Sequence, residues 1–206
     1  MIKTIIFDLG GVVITLDHQQ AVDRFAELGV ENAAEKLDSY TQQGIFGELE
    51  SGLIDDETFR LKLSDMVGHE VTHEQCAYAW QGYAGEVPQR NLDALVRLRQ
   101  QGYRLLLLSN TNSYMMEWVN STDFDGHGHS VEHYFDACYL SYRMKLLKPS
   151  TEIFIRMLMA EQTTPGECLF LDDGPRNVAT ASQIGMRTFC PKNGADWTQE
   201  IYQYLK

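Results

Sequence analysis

Residues 3–13, Lys3 to Val13, read KTIIFDLGGVV. The apolar run inside this stretch is short, β-branched and unbroken by polar residues. That is the pattern of a strand buried on both faces, as in a parallel sheet. A carboxylate, Asp8, ends the run, and Gly10 and Gly11 follow it at once. Glycines give the backbone the freedom to turn tightly beside that acid. The stretch therefore predicts an α/β protein whose first strand delivers an acid to the edge of its sheet.

Further along the chain, three more strong runs share this character: YRLLLLSN (Tyr103 to Asn110), DACYLS (Asp136 to Ser141) and CLFLDD (Cys168 to Asp173), with a weaker one, MRTFC (Met186 to Cys190). Helical patterns lie between them. NLDALVRLRQQG (Asn91 to Gly102) has apolar residues at helical spacing and a closing glycine. STEIFIRMLMAE (Ser150 to Glu161) follows Pro149 and offers Ser150 as an N-cap. PRNVATASQIG (Pro175 to Gly185) opens on proline and closes on glycine.

Residues 18–85 differ. They are polar, rich in Gln, Glu and Asp, and read as four or five short helices, clearest in AVDRFAEL, ENAAEKLDSY, DDETFRLKLSDM and THEQCAYAW. The expected organisation is a Rossmann-like parallel-sheet core of residues 1–17 and 86–206, with an all-α insertion at 18–85. Gly82, Gly85 and Pro88 mark the return to the core. TDFDGHGHSVEH (Thr122 to His133) reads as a surface loop, its histidines solvated rather than bound to metal.

The chain has 206 residues and is 44% hydrophobic, enough for a globular core. Its net charge of −12 repels polyanions, which excludes nucleic acid as a partner. No run approaches the roughly 18 apolar residues of a membrane span, and MIKTIIFD is too short for a signal peptide. The expectation is a cytoplasmic protein with no membrane partner. Cys76, Cys138, Cys168 and Cys190 show no CxxC spacing; Cys138 and Cys168 lie in apolar runs and read as buried thiols.

The chemistry gathers at the strand ends. Asp8 follows the first strand, Ser109, Asn110 and Thr111 the second, and Asp172 and Asp173 the fourth; Lys148 comes shortly after the third. Open α/β sheets bind ligands outside the carboxyl ends of their strands. A parallel sheet therefore brings together acids, a hydroxyl, an amide and a lysine. That set suits a phosphate with a divalent cation, and oxygen ligands favour magnesium over zinc.

Taken singly, each residue has a plainer reading. Asp8 fits a turn. Ser109 fits the N-cap of a helix starting near Thr111, which is compatible with anion binding. Lys148 fits a solvated surface, and Trp80 and Tyr83 fit a core where insertion meets body. Asp172 and Asp173 point to opposite sides if extended, so one faces the site and the other caps the helix at Pro175. Asn177 either orients that pair or is an ordinary helix residue.

The pieces FDLGGV, LLLLSNTN, KLLKPSTEIF and LFLDDGPRNV, in this order, resemble the haloacid dehalogenase-like hydrolase superfamily, in its phosphatase branch with a helical cap. DLGGV and LSNTN further resemble a bacterial group containing sugar-1-phosphate phosphatases. The resemblance implies that Asp8 is a nucleophile forming an aspartyl-phosphate. It implies magnesium held by the Asp8 carboxylate, the Gly10 carbonyl and Asp173, with Asp172 helping directly or through water. Ser109 and the amide of Asn110 would bind phosphoryl oxygens, and Lys148 would supply positive charge. The implied substrate is a small phosphorylated metabolite, enclosed by the cap.

Many phosphatases of this kind carry a second Asp two residues after the nucleophile, as general acid and base. Here that position is Gly10. General acid–base catalysis is worth about 10² to 10⁴-fold. Three explanations remain open: a good leaving group, as in a sugar-1-phosphate; a substitute such as Asp17, a cap carboxylate such as Glu48, or water; or a phosphate-binding pseudo-enzyme that turns over slowly. Other classes fit less well. A haloacid dehalogenase attacks carbon without magnesium and has less need of the Asp172–Asp173 pair. A receiver domain is shorter and has no insertion, and no GxGxxG for a dinucleotide follows the first strand.

Overall fold

Five parallel strands form one sheet in the order β3-β2-β1-β4-β5. They are β1 (Thr4–Phe7), β2 (Arg104–Ser109), β3 (Ala137–Leu140), β4 (Cys168–Leu171) and β5 (Arg187–Phe189). The structure is a computed structural model and describes residues 1–38 and 42–206. All five strands coincide with the runs read from the sequence. The first strand is central, with β2 and β4 on either side, so the acid that follows it sits at the middle of the sheet edge.

Alternate residues along the strands enter separate apolar layers. Ile5, Phe7, Leu105, Leu107, Leu169 and Leu171 join one cluster, whereas Ile6, Leu106, Leu108, Cys168 and Phe170 join another. With both faces covered, the strands need no polar alternation, which is why they read as continuous apolar runs.

The helices follow in chain order: α1 (His18–Glu27), α2 (Ala33–Lys36), α3 (Ile45–Glu50), α4 (Asp56–Val67), α5 (His73–Trp80), α6 (Gln89–Gln100), α7 (Ser113–Val119), α8 (Ser141–Met144), α9 (Thr151–Ala160) and α10 (Pro175–Gln183). Helix α6 packs on the first sheet layer through Leu92, Leu95 and Leu98. Helix α9 packs on the second through Ile153, Phe154 and Met157. Ser150 caps α9 as expected, accepting from the Glu152 N–H.

Helices α1–α5, of the six α-helices between β1 and β2 among the described residues, make up the inserted segment. They bury Phe25, Phe46, Phe59 and Trp80 in a separate cluster, which Tyr114 and Met115 of α7 join. The aromatic rings meet mostly edge to face, as Phe25 does with both Phe46 and Trp80. Two connections join this segment to the sheet, and they run side by side. The Thr15 N–H donates to the Glu86 carbonyl, the Gly85 N–H to the Thr15 carbonyl, and the Asp17 N–H to the Tyr83 carbonyl, each at 2.9 Å. A Cβ at Gly85 would lie 2.4 Å from Thr15 Oγ1, so only glycine lets the two connections approach this closely.

The sequence segment ENAAEKLDSY yields only the single turn α2, and its Ser39 and Tyr40 lie outside the described residues. Residues 122–133 are more ordered than a surface loop. Asp125 is buried and accepts from the His127 N–H at 2.7 Å, the His129 N–H at 3.0 Å and the Tyr134 hydroxyl at 2.6 Å. Phe124 and Val131 turn inward beside it. The alternating polar sequence concealed a turn wound around one carboxylate. No helix among the described residues is long and apolar enough to cross a membrane, and the four cysteines are free, Cys138 only half-buried.

Candidate active site

Asp8 is the first residue beyond β1. Its N–H donates to the Leu171 carbonyl on β4 at 2.9 Å, and its Oδ1 accepts from the Leu9 N–H at 2.7 Å. The turn that follows is fixed from two sides. The N–H groups of Val13 and Ile14 both donate to the Leu9 carbonyl. Asn91 Nδ2 donates to the carbonyls of Val12 and Val13, and Trp197 Nε1 donates to the Val12 carbonyl at 2.8 Å. Gly11 has φ +76°, and a Cβ there would lie 2.3 Å from the Asp173 carboxylate. Glycine at this position lets the turn after β1 touch the acid after β4.

Lys148 is 3% exposed and spends all three ammonium donors. Nζ donates to the Leu108 carbonyl at 2.9 Å, to Asp172 Oδ2 at 2.6 Å, and meets Asp8 Oδ2 at 2.9 Å. Burial alone would lower its pKa, but the Asp172 and Asp8 carboxylates reverse that and raise it, so the ammonium stays charged. Asn110 positions this lysine. Its Nδ2 donates to the Lys148 carbonyl at 2.9 Å and its Oδ1 accepts the Lys148 N–H at 2.8 Å.

Asp172 is fully buried, and both its oxygens are committed. Oδ1 accepts from the Gly174 N–H at 2.7 Å and from Asn177 Nδ2 at 2.9 Å; Oδ2 takes Lys148 and a second contact from Asn177. Of the two readings of Asn177, orientation of the acidic pair is therefore the one seen. The Asp173 carboxylate accepts no hydrogen bond from another described residue. Burial, then the neighbouring Asp172, pushes its pKa up to about 6. Asp8 is also held well above the usual carboxylate range, chiefly by burial, with Lys148 opposing.

Oxygens of Asp8, Asp172 and Asp173 lie within 4.8 Å of one another. Three carboxylates against one lysine leave a surplus of negative charge that a hard divalent cation would neutralise. An all-oxygen donor set fits magnesium. Because Asp172 is taken up by N–H donors, the oxygens available to such a cation belong to Asp8 and Asp173.

Ser109 ends β2 and is buried beside these groups. It is not a helix cap: α7 starts at Ser113, and Asn112 caps it by accepting the Met115 N–H at 3.1 Å. The Ser109 hydroxyl has only a long contact, 3.4 Å, to the Asn110 carbonyl. Asp8, Gly10, Ser109 and Lys148 line one cavity of about 690 Å³, counting the space that opens to solvent. Glu50, Trp80 and Tyr83 of the inserted helices line it too. Trp80 and Tyr83 are thus both core residues and cavity wall, and Trp80 Nε1 is buried without a partner among the described residues.

Neither substitute acid named from the sequence is free for that role. Asp17 caps α1 through the Gln20 N–H at 2.9 Å, and Glu48 pairs with Lys62 at 2.7 Å on the outside of the insertion. Glu50, which sequence reasoning passed over, is the carboxyl that the inserted helices bring to the cavity. Its helix, α3, has six residues and too short a period to stand out.

Similarity to known proteins identifies the family. A family model described as haloacid dehalogenase-like hydrolase matches residues 2–185. A D-ribitol-5-phosphate phosphatase from Bacteroides thetaiotaomicron is 44% identical over 201 residues, covering 98% of this chain and 97% of that protein. The crystal structure of a HAD family enzyme from the same organism, in complex with magnesium and inorganic phosphate, superposes with a TM-score of 0.89 at 38% identity, covering 97% of this chain and 99% of that one. A HAD-like family hydrolase from Porphyromonas gingivalis reaches a TM-score of 0.95 at 41% identity, over 100% and 98% of the two chains. By family model, by near full-length identity and by fold, the chain belongs to the haloacid dehalogenase-like hydrolases.

Proposed function

We propose that this protein is a magnesium-dependent phosphomonoester hydrolase that removes the terminal phosphate from a small phosphorylated sugar alcohol, with Asp8 as nucleophile. The observation that carries the reading is the Asp8–Lys148–Asp172–Asp173 constellation. One carboxylate, Asp8, is positioned by a buried lysine, next to a second, Asp173, that accepts no hydrogen bond from another described residue. The ribitol-5-phosphate phosphatase relative supports the substrate class.

Asp8 attacks phosphorus in line, the bond to the leaving oxygen breaks, and an aspartyl-phosphate forms. Water then attacks that phosphorus and returns the carboxylate. Ser109, with its uncommitted hydroxyl, and the Asn110 amide bind phosphoryl oxygens, while Lys148 offsets their charge and holds Asp8 in line. Asp8, Asp173 and the Gly10 carbonyl would hold the magnesium, which supplies charge neutralisation between two anions. Asp172 keeps Lys148 and the start of α10 in place. Residues 18–85 act as a cap over the core of residues 1–17 and 86–206, excluding water and selecting the alcohol.

A second reading rests on Gly10. An anomeric oxygen leaves more easily than a primary alkoxide, so a sugar-1-phosphate would tolerate the missing acid.

The test is phosphate release from ribitol 5-phosphate, pentose 5-phosphates and hexose 1-phosphates, with magnesium or with EDTA. Release that EDTA abolishes, and that Asp8→Asn lowers by at least about 10³-fold, is the expected result. Preference for the 1-phosphates would replace the first substrate reading with the second. Undiminished turnover by Asp8→Asn would remove Asp8 as nucleophile.

A further inference from the structure

Glu50 lines the cavity that holds Asp8 and Lys148, yet it belongs to neither the acidic cluster nor the sheet. Helix α3 delivers it from the insertion, and the core fixes its backbone. Ser141 Oγ, at the start of α8, donates to the Glu50 carbonyl at 2.7 Å. Two residues on, Gly52 has φ +67° and presses so closely on the core that a Cβ there would lie 2.1 Å from the Tyr142 carbonyl oxygen. The side chain thus projects into the cavity from an anchored turn.

No described residue hydrogen-bonds the Glu50 carboxyl. Among the described residues, the charged and titratable groups that share its cavity are Lys148, Asp8, Asp173 and the Tyr83 phenol. Arg143 on the adjoining α8 and Lys145 just after it are exposed, and Lys62 on the adjoining α4 is tied to Glu48. Burial pushes the Glu50 carboxyl up to about 8, with Lys148 opposing only in part. The carboxyl is therefore largely protonated at neutral pH.

The usual place for an acid, two residues after the nucleophile, is Gly10, which carries no side chain. A Cβ at Gly10 would lie 2.7 Å from Leu16 Cδ2. Leu16 in turn is held by Asn193, which both accepts its N–H and donates to its carbonyl at 2.9 Å. A primary alkoxide, the leaving group of a sugar-alcohol phosphate, cannot depart readily without a proton.

We infer that Glu50 is the general acid–base of this enzyme, giving its proton to the leaving alcohol from the cap side of the cavity. The inference rests on the phosphatase reading above. In the first half-reaction an Asp8 oxygen bonds to phosphorus, the bond from phosphorus to the alcohol oxygen breaks, and the Glu50 proton passes to that oxygen, leaving a carboxylate and a neutral alcohol. In the second, the Glu50 carboxylate takes a proton from water as it attacks the aspartyl-phosphate. The bond from phosphorus to Asp8 breaks, inorganic phosphate forms, and both residues return to their starting states.

The test compares Glu50→Gln with the unaltered enzyme on two substrates of unlike leaving group, ribitol 5-phosphate and p-nitrophenyl phosphate. The nitrophenolate needs no proton. The expected result is a fall of about 10² to 10⁴-fold in kcat/KM on ribitol 5-phosphate, loss of the alkaline limb of its pH profile, and a nearly unchanged kcat/KM on the aryl ester. A stoichiometric burst of nitrophenol should precede slow turnover, because the second half-reaction has lost its base. Glu50→Asp should regain part of the rate. Equal losses on both substrates would overturn the inference and leave Glu50 a positioning residue; an unchanged rate on ribitol 5-phosphate would overturn it too and leave Glu50 without a part in turnover. An unaltered enzyme that hydrolyses neither ester would instead overturn the phosphatase reading.

Discussion

Lys148 has no surface use in this fold. It is a buried cation that faces two carboxylates and a carbonyl, and its removal would strand Asp8 and Asp172 as unpaired buried charges. Breaking a buried pair from one side costs about 3–5 kcal/mol. In a domain of this size that corresponds to a fall in Tm of roughly 6–20 °C. Lys148→Met should therefore unfold earlier at pH 8 and lose activity. The deficit should shrink as the pH is lowered, because Asp8, whose carboxyl burial holds above the usual carboxylate range, takes up a proton. Thermal denaturation as a function of pH checks this; a deficit independent of pH would mean that the lysine matters for packing alone. The other site residues were legible from their order at the strand ends. Their division of labour was not. That Asp172 serves Lys148 while Asp173 stays free depends on Gly174 and Asn177, whose donors reach only Asp172.

At the scale of elements, unbroken apolar runs made all five strands readable, because burial on both faces removes the alternation that would otherwise confuse them. Helices α6, α9 and α10 were readable from their spacing and their flanking proline or glycine residues. Helix α3 was not: it is short, opens on Gly44 without a side-chain cap, and is stabilised by its contacts with α4 and α8. The element that carries Glu50 thus owes its place to tertiary contacts. Gly52→Ala is the change that should move it, since the added methyl meets backbone rather than a yielding side chain. The positive φ adds about 1 kcal/mol of strain for alanine. The expected outcome is a higher KM and lower kcat for an alkyl phosphate, with magnesium affinity unchanged, read by steady-state kinetics and metal titration. Equal weakening of magnesium binding would show that the damage reaches the core acids.

For the molecule as a whole, a net charge of −12 and three site carboxyls with raised pKa act in the same direction. Unfolded carboxyls titrate near roughly 4, whereas Asp173 titrates at about 6 and Glu50 at about 8 in the fold. Between those limits the folded chain holds protons that the unfolded chain has released. Stability must then fall as pH rises, and self-repulsion among the acidic groups adds to the loss. Magnesium at Asp8 and Asp173 would replace the protons those two residues give up, so its stabilisation should grow as they ionise. The metal-free protein should melt higher at pH 5 than at pH 8, and saturating magnesium should narrow that gap, leaving the part due to Glu50, while adding little at pH 5. Scanning calorimetry with and without magnesium at the two pH values checks it, and an equal magnesium effect at both would place the cation away from these carboxyls. Glu50→Gln separates the contributions. Without a carboxyl to ionise between pH 6 and 8, that variant should lose the upper part of the metal-free slope yet keep its response to magnesium, because Glu50 lies outside the Asp8–Asp172–Asp173 cluster.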